Sequence, residues 1–412
     1  MANFRPFRAL RPKPEFAKQI ASRPYDVLDS EEARAEADGN PLSFLRVIKP
    51  EIELPADIDP YSEEVYRKGS QNLLRLKNDG ILVNDPDPHF YIYRLTMDGR
   101  EQTGIVGCCD YQEYYDGRIK KHELTRTAKE NDRFLHVETQ NANAEPVFFS
   151  YRTEPSINLL IDEIIASESI YDFIADDNIK HELWIVDDKA QISLFHEAFK
   201  RVPDLYVADG HHRTAAAARI GQKRKEQNPN HNGSEAYNFF MAVLFSDDQL
   251  KIYDYNRVIR DLNGKSSNEF ISELDEIFEI NDLQDAESPP RKGIYSMYLD
   301  GKWYSLTPKS PVISNNPKES LDVTFLSERI LDPILDIKDL RKDTRIDFVG
   351  GIRGLQELER RVDSGEMKVA FALFPVSMSE LLAIADAGEI MPPKTTWFEP
   401  KLRSGLFIHE LE

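Results

Sequence analysis

The segment DGHHR at 209–213 carries residue types that bind phosphate, packed into five consecutive positions. The apolar run LYVA stands directly before this segment, and the run TAAAARI follows it. This order predicts a strand, a tight turn and a helix. Gly210 can adopt backbone angles that are closed to other residues, so the chain can turn sharply here. The start of a helix presents free N–H groups and the positive end of its dipole. The segment therefore predicts an anion site.

Each side chain of this segment suits a ligand with phosphate or amine groups. Arg213 offers a planar cation that fits two phosphate oxygens, and His211 and His212 can donate hydrogen bonds. Asp209 is a candidate ligand for Mg²⁺ or for the amine of a substrate. Two other interpretations stay open: plain capping of a helix, and a zinc site. Zinc is disfavoured because adjacent histidines point in different directions and no cysteine lies at ligand spacing.

Acidic residues outnumber basic ones by 72 to 52, which gives the 412-residue chain a formal charge of −20. A surface with this charge repels phosphate backbones, so the composition argues against a nucleic-acid platform. Basic residues held among prolines and aromatics in such a chain indicate a local pocket instead. Three of them, Lys394, Lys401 and Arg403, lie in the stretch MPPKTTWFEPKLRSG and are predicted to hold phosphate.

Weaker candidates for binding an amino acid or a phosphate donor lie in the short runs PYDV, GNPLSF and YNRV. They are Asp26, Asn40, Asn256 and Arg257. The chemistry of Pro-flanked turns explains the first two nearly as well. The chain has no G-x-G-x-x-G motif, which removes the dinucleotide fingerprint and the usual protein-kinase loop.

Strand-like and helix-like runs alternate through the middle of the chain, which predicts a mixed α/β (α+β) fold of two or three domains. We expect a mixed α/β region over 1–115, a core with the DGHHR segment over 116–265, and an α/β region over 266–412 that ends in a basic loop. Within the core, 118–138 is predicted as one amphipathic helix. The polar residues 263–292 are predicted as a connecting stretch.

The two cysteines, Cys108 and Cys109, are adjacent, and neighbouring cysteines rarely form a disulfide. We expect both to be buried as small apolar residues in a protein of a reducing compartment. The N-terminus lacks the apolar core of a secretion signal, and no apolar run reaches about eighteen residues. The sequence therefore predicts a cytoplasmic protein without membrane contact.

Several stretches resemble one bacterial and archaeal family of unknown function, DUF1015. They are FRPFRALRP, RPYDVL, NPLSFLRV, TGIVGCCDY, KKHELT, DGHHRTAA, YNRVIRDLNG and MPPKTTWFEPKLRSGLFIH. Within them, DGHHRTAA is similar to the G-x-x-R box of the ParB/sulfiredoxin superfamily, in which a phosphate donor lies on this turn. The resemblance implies a ParB/sulfiredoxin-like core with additional N- and C-terminal regions.

Some proteins of this kind are similar to kinases that phosphorylate free L-serine with pyrophosphate. The resemblance implies a cytoplasmic small-molecule kinase that makes O-phosphoserine, with pyrophosphate, ADP or ATP as donor and Mg²⁺ as cofactor. No haem, flavin or zinc is expected. In KKHELT, the pair His122 and Glu123 is similar to the His-Glu pair of those kinases. Glu123, taken to lie near a helix start, is the candidate base, and Asp209 is the other catalytic carboxylate.

Two departures from the superfamily narrow its implications. His211 stands where a sulfiredoxin has its reactive cysteine. As far as this box can show, the sulfiredoxin reaction, which is the reduction of a peroxidised cysteine, is therefore excluded. ParB proteins continue with a helix-turn-helix region, whereas here a polar segment leads into predicted strands. The alternative hypothesis, a ParB-like nucleotide-binding regulator that acts on DNA, fits the box equally well but not the charge of the chain.

Overall fold

Two runs rich in aromatic and β-branched residues, Phe90–Met97 and Arg100–Asp110, form adjacent antiparallel strands, as their composition predicts. They belong to the first of two units in the computed structural model. This unit comprises Met1–Leu250 and Pro400–Glu412, and the second comprises Lys251–Glu399. The structure describes residues 2–310 and 314–412. The three-region division from the sequence stays a prediction.

The first unit is built on a nine-stranded mixed sheet. Eight strands follow one another in the order Ile119–Lys120, Leu205–Asp209, Val147–Tyr151, Phe239–Ser246, Arg100–Asp110, Phe90–Met97, Lys180–Val186 and Tyr171–Ile174, and Phe4–Arg5 pairs with Arg100–Asp110. Two neighbouring pairs are parallel and the others are antiparallel. Short ladders join Leu10–Pro12 to Leu82–Asn84 and Ala142–Asn143 to His409–Glu410.

The α-helices of this unit bury apolar side chains in two core clusters, one of which includes strands of this sheet. They are Ala17–Ile20, Ser30–Glu36, Leu45–Ile48, Glu63–Asn78, Gln112–Tyr115, Thr127–Gln140, Pro155–Ile165, Lys189–Phe199 and His211–Gln227. One core cluster includes Phe4, whose ring centroid lies 5.2 Å from that of Phe90 and 4.7 Å from that of Phe199. The long helix His211–Gln227 buries its alanines, which lets it lie close to its neighbours.

The second unit is built on a six-stranded antiparallel sheet. Its order is Phe278–Leu283, Lys302–Pro308, Tyr295–Leu299, Val369–Ala372, Tyr255–Ile259 and Ile346–Gly350. Ile252–Tyr253 pairs separately with Trp397–Phe398. The helices of this unit are Ser267–Ile277, Asp322–Leu326, Leu355–Asp363 and Met378–Asp386. Leu358 and Val362 of the third helix pack on Val258 in one core cluster.

The mixed α/β class is confirmed, and two element predictions are wrong. The segment 118–138 is not one helix: Ile119–Lys120 is a strand, and the helix runs over Thr127–Gln140. The stretch 263–292 contains the helix Ser267–Ile277, which begins with a Ser266–Glu269 capping box, and the strand Phe278–Leu283. The ParB/sulfiredoxin-like detail stays a prediction.

Cys108 and Cys109 are free thiols buried in a central strand. Burial raises the pKa of both thiols well above its usual value, so they are inert apolar groups at neutral pH. None of the helices within 2–310 and 314–412 is long and apolar enough to cross a membrane.

Candidate functional site

The DGHHR segment forms a strand, a left-handed glycine and a helix. The strand Leu205–Asp209 ends at Gly210, whose φ is +87°, and the 17-residue helix His211–Gln227 begins directly after it. Gly210 is the N-cap residue and has no side chain that could accept from the amides of the first turn. A Cβ atom at position 210 would lie 3.1–3.2 Å from the guanidinium of Arg213. The sharp turn therefore gives the helix no cap from its N-cap residue and packs a cation against the glycine.

Arg213 is buried, with 6% of its surface exposed. Its Nη1 donates to the Pro146 carbonyl at 2.6 Å, and its Nη2 lies 3.4 Å from the Asp209 carboxylate. Its Nε has no hydrogen-bond partner among the described residues. Burial opposes the charge, but the carboxylates of Asp26 and Asp209 outweigh burial and raise the pKa of Arg213. The guanidinium is thus a fixed cation with one unused donor.

Asp209 ends the strand between two cations. Its Oδ2 lies 3.7 Å from Lys401 Nζ and 3.4 Å from Arg213 Nη2. Burial would raise the pKa of Asp209, but Lys401 and Arg213 outweigh it and lower that pKa to about 2. The carboxylate is therefore ionised at neutral pH. It is a weak proton acceptor and a suitable ligand for a cation or an amine.

Two neutral histidines lie edge to face beside the turn. The rings of His122 and His211 are 4.5 Å apart between centroids, with an angle of 90° between their planes. Burial lowers the pKa of His122 to about 4, although Asp209 and a hydrogen bond to the Val207 backbone oppose this. Burial and the nearby His122 lower the pKa of His211 well below its usual value. His211 Nε2 has no hydrogen-bond partner among the described residues. The first residue of the helix therefore carries a neutral imidazole whose Nε2 makes no hydrogen bond to these residues.

His212 has a structural partner. Its Nε2 accepts a hydrogen bond from the Arg126 amide at 3.0 Å, directly before the helix Thr127–Gln140. Burial lowers the pKa of His212 as well. Nε2 must be unprotonated to accept this bond, so only Nδ1 of His212 could donate a hydrogen bond to a phosphate. The role of His212 in phosphate binding stays a prediction.

Glu123 lies in the loop between Lys120 and Thr127 and is half-buried. The sequence places Glu123 near the start of a helix predicted over 118–138, whereas the helix begins four residues after Glu123, at Thr127. Glu123 follows His122 directly, and the His122 ring packs on His211. Its chain position therefore keeps it beside the DGHHR segment, and its catalytic role stays a prediction.

The three predicted phosphate-binding residues of the basic loop have different surroundings. Lys401 forms an ion pair with Asp209, with 3.7 Å between Nζ and Oδ2. Arg403 is buried in a separate cluster, where it pairs with Asp177 and donates to His181 Nε2 at 3.3 Å. Arg403 and Asp177 line an open cleft of about 530 Å³ together with Asn40. Lys394 belongs to the second unit, where its Nζ lies 5.7 Å from the ring centroid of Tyr255.

The four weaker candidates also separate. Asp26 is exposed, and its charge acts on both Arg213 and His212. The Asn40 side chain donates to the Gln19 carbonyl and accepts from the Leu42 amide. The Asn256 side chain likewise donates to Asp254 and accepts from the Leu373 amide. Arg257 is buried in the second unit and donates to the Tyr255 carbonyl. Asn40 and Asn256 therefore have structural partners at both ends of their amides.

Sequence reasoning missed a buried charge cluster behind Arg213. Arg133 bonds Asp132 at 2.7 Å and Glu145 at 2.9 Å, and its guanidinium lies 3.8 Å from the Tyr25 ring centroid. A small cavity of about 20 Å³ is lined by Arg133, Glu145 and Arg213, enough for one water molecule. The residues of this cluster come from distant parts of the chain, and no spacing in the sequence signals them.

The part of the chain that the structure describes holds no group of three or more His, Cys, Asp or Glu side chains placed to bind a metal ion. Mg²⁺ often takes one or two carboxylates and completes its shell with water and substrate phosphates. The single carboxylate of Asp209 fits that pattern, because its low pKa keeps it ionised. One carboxylate alone could not hold the ion in the absence of a phosphate ligand.

The chain belongs to the family described as "Protein of unknown function (DUF1015)", whose model matches residues 4–324. This confirms the family that the sequence stretches indicate. No curated protein matches the chain significantly.

Several solved structures are similar at low identity. A conserved hypothetical protein from Pyrococcus furiosus has 16% identity and a TM-score of 0.34, over 70% of this chain and 91% of that one. A free serine kinase in complex with AMP has 16% identity and a TM-score of 0.33, over 69% and 88%. SbnI from Staphylococcus aureus has 10% identity and a TM-score of 0.38, over 73% and 85%. Because these TM-scores are below 0.5, no binding or catalytic residue of those structures is assigned to this chain.

We expect Gly210→Ala to reduce both stability and anion binding. An alanine at φ +87° costs about 1–2 kcal/mol, and its Cβ would also push against the Arg213 guanidinium. Gly233→Ala is a matched control, because Gly233 has φ +88° and, apart from its chain neighbours, no atom of the described residues lies within 4 Å of the added Cβ. Urea unfolding and calorimetric titration with pyrophosphate measure the two effects. Equal losses of stability, with unchanged pyrophosphate affinity, would contradict this role of the glycine.

The buried His122 makes stability depend on pH. Its folded pKa of about 4 lies below the value of about 6.5 in the unfolded chain, so the unfolded state binds more protons between these two values. The free energy of unfolding therefore falls as the pH drops from 6.5 towards 4, by at most about 3 kcal/mol from this group. His122→Phe should flatten the pH dependence of urea unfolding over this range. A slope identical to that of the unmodified protein would show that folding does not lower the pKa of His122.

Proposed function

We propose that this member of the DUF1015 family is a small-molecule kinase that phosphorylates the hydroxyl of free L-serine to O-phosphoserine. One observation carries the phosphate part of the proposal: two buried nitrogens, His211 Nε2 and Arg213 Nε, have no hydrogen-bond partner among the described residues, at a helix start whose N-cap residue is a glycine. Buried polar groups are almost always hydrogen-bonded, so these two favour a ligand that accepts hydrogen bonds. An anion at a helix N-terminus accepts from Arg213 Nε and, in the His211 tautomer that carries the proton on Nε2, from that nitrogen as well, and it interacts favourably with the helix dipole.

The charges around the turn suit a phosphate donor better than a neutral ligand. Arg213 and Lys401 provide two cations, and Asp209 provides one ionised carboxylate between them. The neutral rings of His122 and His211 add no charge. A donor phosphate would bind Arg213 and the first helical amides, whereas Asp209 would face Mg²⁺ or the serine amine. Bound Mg²⁺ would supply a positive charge that compensates the phosphate oxygens.

The serine acceptor and the base rest on the sequence resemblance. Glu123 is the proposed base from that resemblance, and Asp209, whose low pKa makes it a weak proton acceptor, is proposed as the ligand of a cation or an amine instead. Glu123 would take the hydroxyl proton of serine as the serine oxygen attacks the terminal phosphorus. The bond from that phosphorus to the bridging oxygen breaks, and the leaving phosphate or nucleotide keeps the electron pair. Pyrophosphate is the preferred donor, and ADP and ATP are the alternatives.

One assay tests the activity. The full chain is incubated with L-serine, Mg²⁺ and, in separate reactions, pyrophosphate, ADP or ATP, and O-phosphoserine is measured by mass spectrometry. Reactions without Mg²⁺ and with D-serine are the controls. Formation of O-phosphoserine with one donor supports the proposal and identifies that donor. If none of the three donors yields product, the chain is not a serine kinase.

Glu123→Gln tests the proposed base. If the carboxylate takes the serine proton, the change should lower kcat by roughly 10² to 10⁴ and leave donor affinity nearly unchanged. Glu168→Gln is the matched control, because Glu168 is an exposed glutamate beyond the helix Pro155–Ile165. Steady-state kinetics with the active donor provide kcat and KM separately. Near-normal turnover of Glu123→Gln would assign the base elsewhere.

Arg213→Ala and Asp209→Asn should affect different parameters. Arg213 would contact phosphate before and during transfer, so its loss should raise the donor KM about tenfold or more and also lower kcat. Asp209→Asn should change the dependence on Mg²⁺ or on serine instead. Titrations of donor, Mg²⁺ and serine separate these effects. If Asp209→Asn abolishes turnover at saturating Mg²⁺ and serine while Glu123→Gln does not, Asp209 is the base.

A further inference from the structure

An open cleft of the first unit is lined by residues that are distant in the sequence. They come from 18–23, 36–43 and 175–177, and Arg403 completes the set. The residues 175–177 follow the strand Tyr171–Ile174 and belong to its turn into the next strand. The volume of the cleft, about 530 Å³, lies within the range of roughly 300 to 1,000 Å³ that small-molecule sites occupy. The cleft can therefore hold a small ligand.

Arg403 is the buried cation of this cleft. Only 3% of its surface is exposed, and its Nη2 pairs with the carboxylate of Asp177. Its Nε donates to His181 Nε2 at 3.3 Å, and its backbone amide donates to the Tyr93 hydroxyl at 3.4 Å. Its Nη1 makes no hydrogen bond to the described residues, yet this nitrogen is not sealed from solvent. Because Arg403 lines the cleft, Nη1 can donate to a ligand there.

His181 fixes the orientation of this arginine. Burial and the Arg403 charge lower the pKa of His181 to about 3, although Asp177 opposes this. Nε2 of the neutral ring accepts from Arg403, so Nδ1 carries the proton and donates to the Tyr93 hydroxyl at 2.8 Å. The ring also stacks on Phe173 and Tyr93, with centroid distances of 5.3 and 5.9 Å. The guanidinium is therefore held in one orientation beside the cleft.

Charged side chains of both signs line the cleft in equal number. They form three ion pairs, which are Arg403 with Asp177, Arg23 with Glu36, and Lys18 with Asp176. The last pair is loose, because its Nζ and Oδ1 atoms are 3.7 Å apart and the Asp176 side chain is fully exposed. The lining therefore has no net charge, in a chain that carries −20.

We propose that this cleft binds a free amino acid through its carboxylate and its ammonium group. The carboxylate would accept from Arg403 Nη1, and the ammonium would pair with the exposed carboxylate of Asp176. A ligand with a single charge would also meet three side chains of its own sign, whereas a zwitterion finds partners for both of its charges. Ser43 Oγ lies 3.4 Å from Ser22 Oγ, a long contact that leaves the Ser43 hydroxyl able to bond the ligand.

This site is separate from the proposed kinase chemistry. None of the residues that line the cleft belongs to the DGHHR segment or to the loop that holds Glu123. Arg403, which the sequence predicts as a phosphate ligand, is here assigned to a carboxylate. The proposed kinase activity and the amino-acid site can therefore fail independently of each other.

Calorimetric titration of the full chain with three small molecules tests the charge requirement. L-Alanine is the amino-acid probe, because it has no hydroxyl that a kinase could phosphorylate. Propionate is L-alanine without the ammonium group, and ethylamine is L-alanine without the carboxylate. At equal ionic strength we expect L-alanine to bind and the other two to bind at least about tenfold more weakly. No binding of L-alanine, or equal affinity for either analogue, would overturn the proposal.

Substitutions in the cleft locate the bound L-alanine. Asp176→Asn should weaken binding about tenfold by removing the partner of the ammonium group, and its exposed side chain makes a folding defect unnecessary to consider. Asp187→Asn is the matched control, because Asp187 is an exposed aspartate outside the lining. Ala21→Phe fills the cleft from the half-buried Ala21 and should abolish binding. Undiminished binding by Ala21→Phe would overturn the site.

Two further variants test the arginine and the location. Arg403→Lys keeps the charge but removes the planar fork, so L-alanine should bind about tenfold more weakly. Circular dichroism shows whether this buried variant folds, and Asp176→Asn and Ala21→Phe carry the test if it does not. Asp209→Asn should bind L-alanine with unchanged affinity. If Asp209→Asn loses L-alanine binding and Ala21→Phe retains it, the amino acid binds at the DGHHR segment instead of in the cleft.

Discussion

The left-handed backbone of Gly210 fixes the geometry of the candidate site. Because the chain reverses within one residue, the carboxylate that ends the strand and the arginine of the first helical turn meet at 3.4 Å. A Cβ at position 210 would lie only 3.1–3.2 Å from the Arg213 guanidinium. A longer turn would separate the two side chains. Because the N-cap residue Gly210 has no side chain, it offers no competing acceptor to the amides of the first turn, where a ligand can bind.

The electrostatics of the site follow from this geometry. Asp209 is ionised because Lys401 and Arg213 flank it, whereas His122 and His211 are neutral because they are buried. Opposite protonation behaviour in neighbouring groups is typical of sites that handle charged ligands. The chain as a whole carries −20, so a small anion must be attracted by these few cations rather than by the protein's overall field. This favours a compact, multiply charged ligand over a long polyanion, which would also meet the acidic surface.

The sequence predicted the local parts of the site and missed the non-local ones. Strand, glycine and helix at 205–227 were predictable because hydrophobic periodicity and glycine geometry act over a few residues. The helix predicted over 118–138 was wrong at its beginning, because the loop at 121–126 lies between a short strand and the helix start at Thr127. The helix within the polar stretch 263–292 was not predicted. It is amphipathic, and its buried residues are only Phe270 and Leu274. So few apolar positions give a weak periodic signal.

The partners of the charged residues show why spacing alone cannot assign roles. Lys401 and Arg403 are two residues apart, yet one joins Asp209 and the other joins Asp177. Arg213 and Arg257 are both buried, yet the first has a carboxylate and the second has a backbone carbonyl. Burying a guanidinium costs several kcal/mol unless an anion compensates it. Arg213 recovers part of that cost from Asp209, whereas Arg257 recovers little from a neutral oxygen. Residue type and burial are the same for these two arginines, so only their contacts in the folded chain distinguish them.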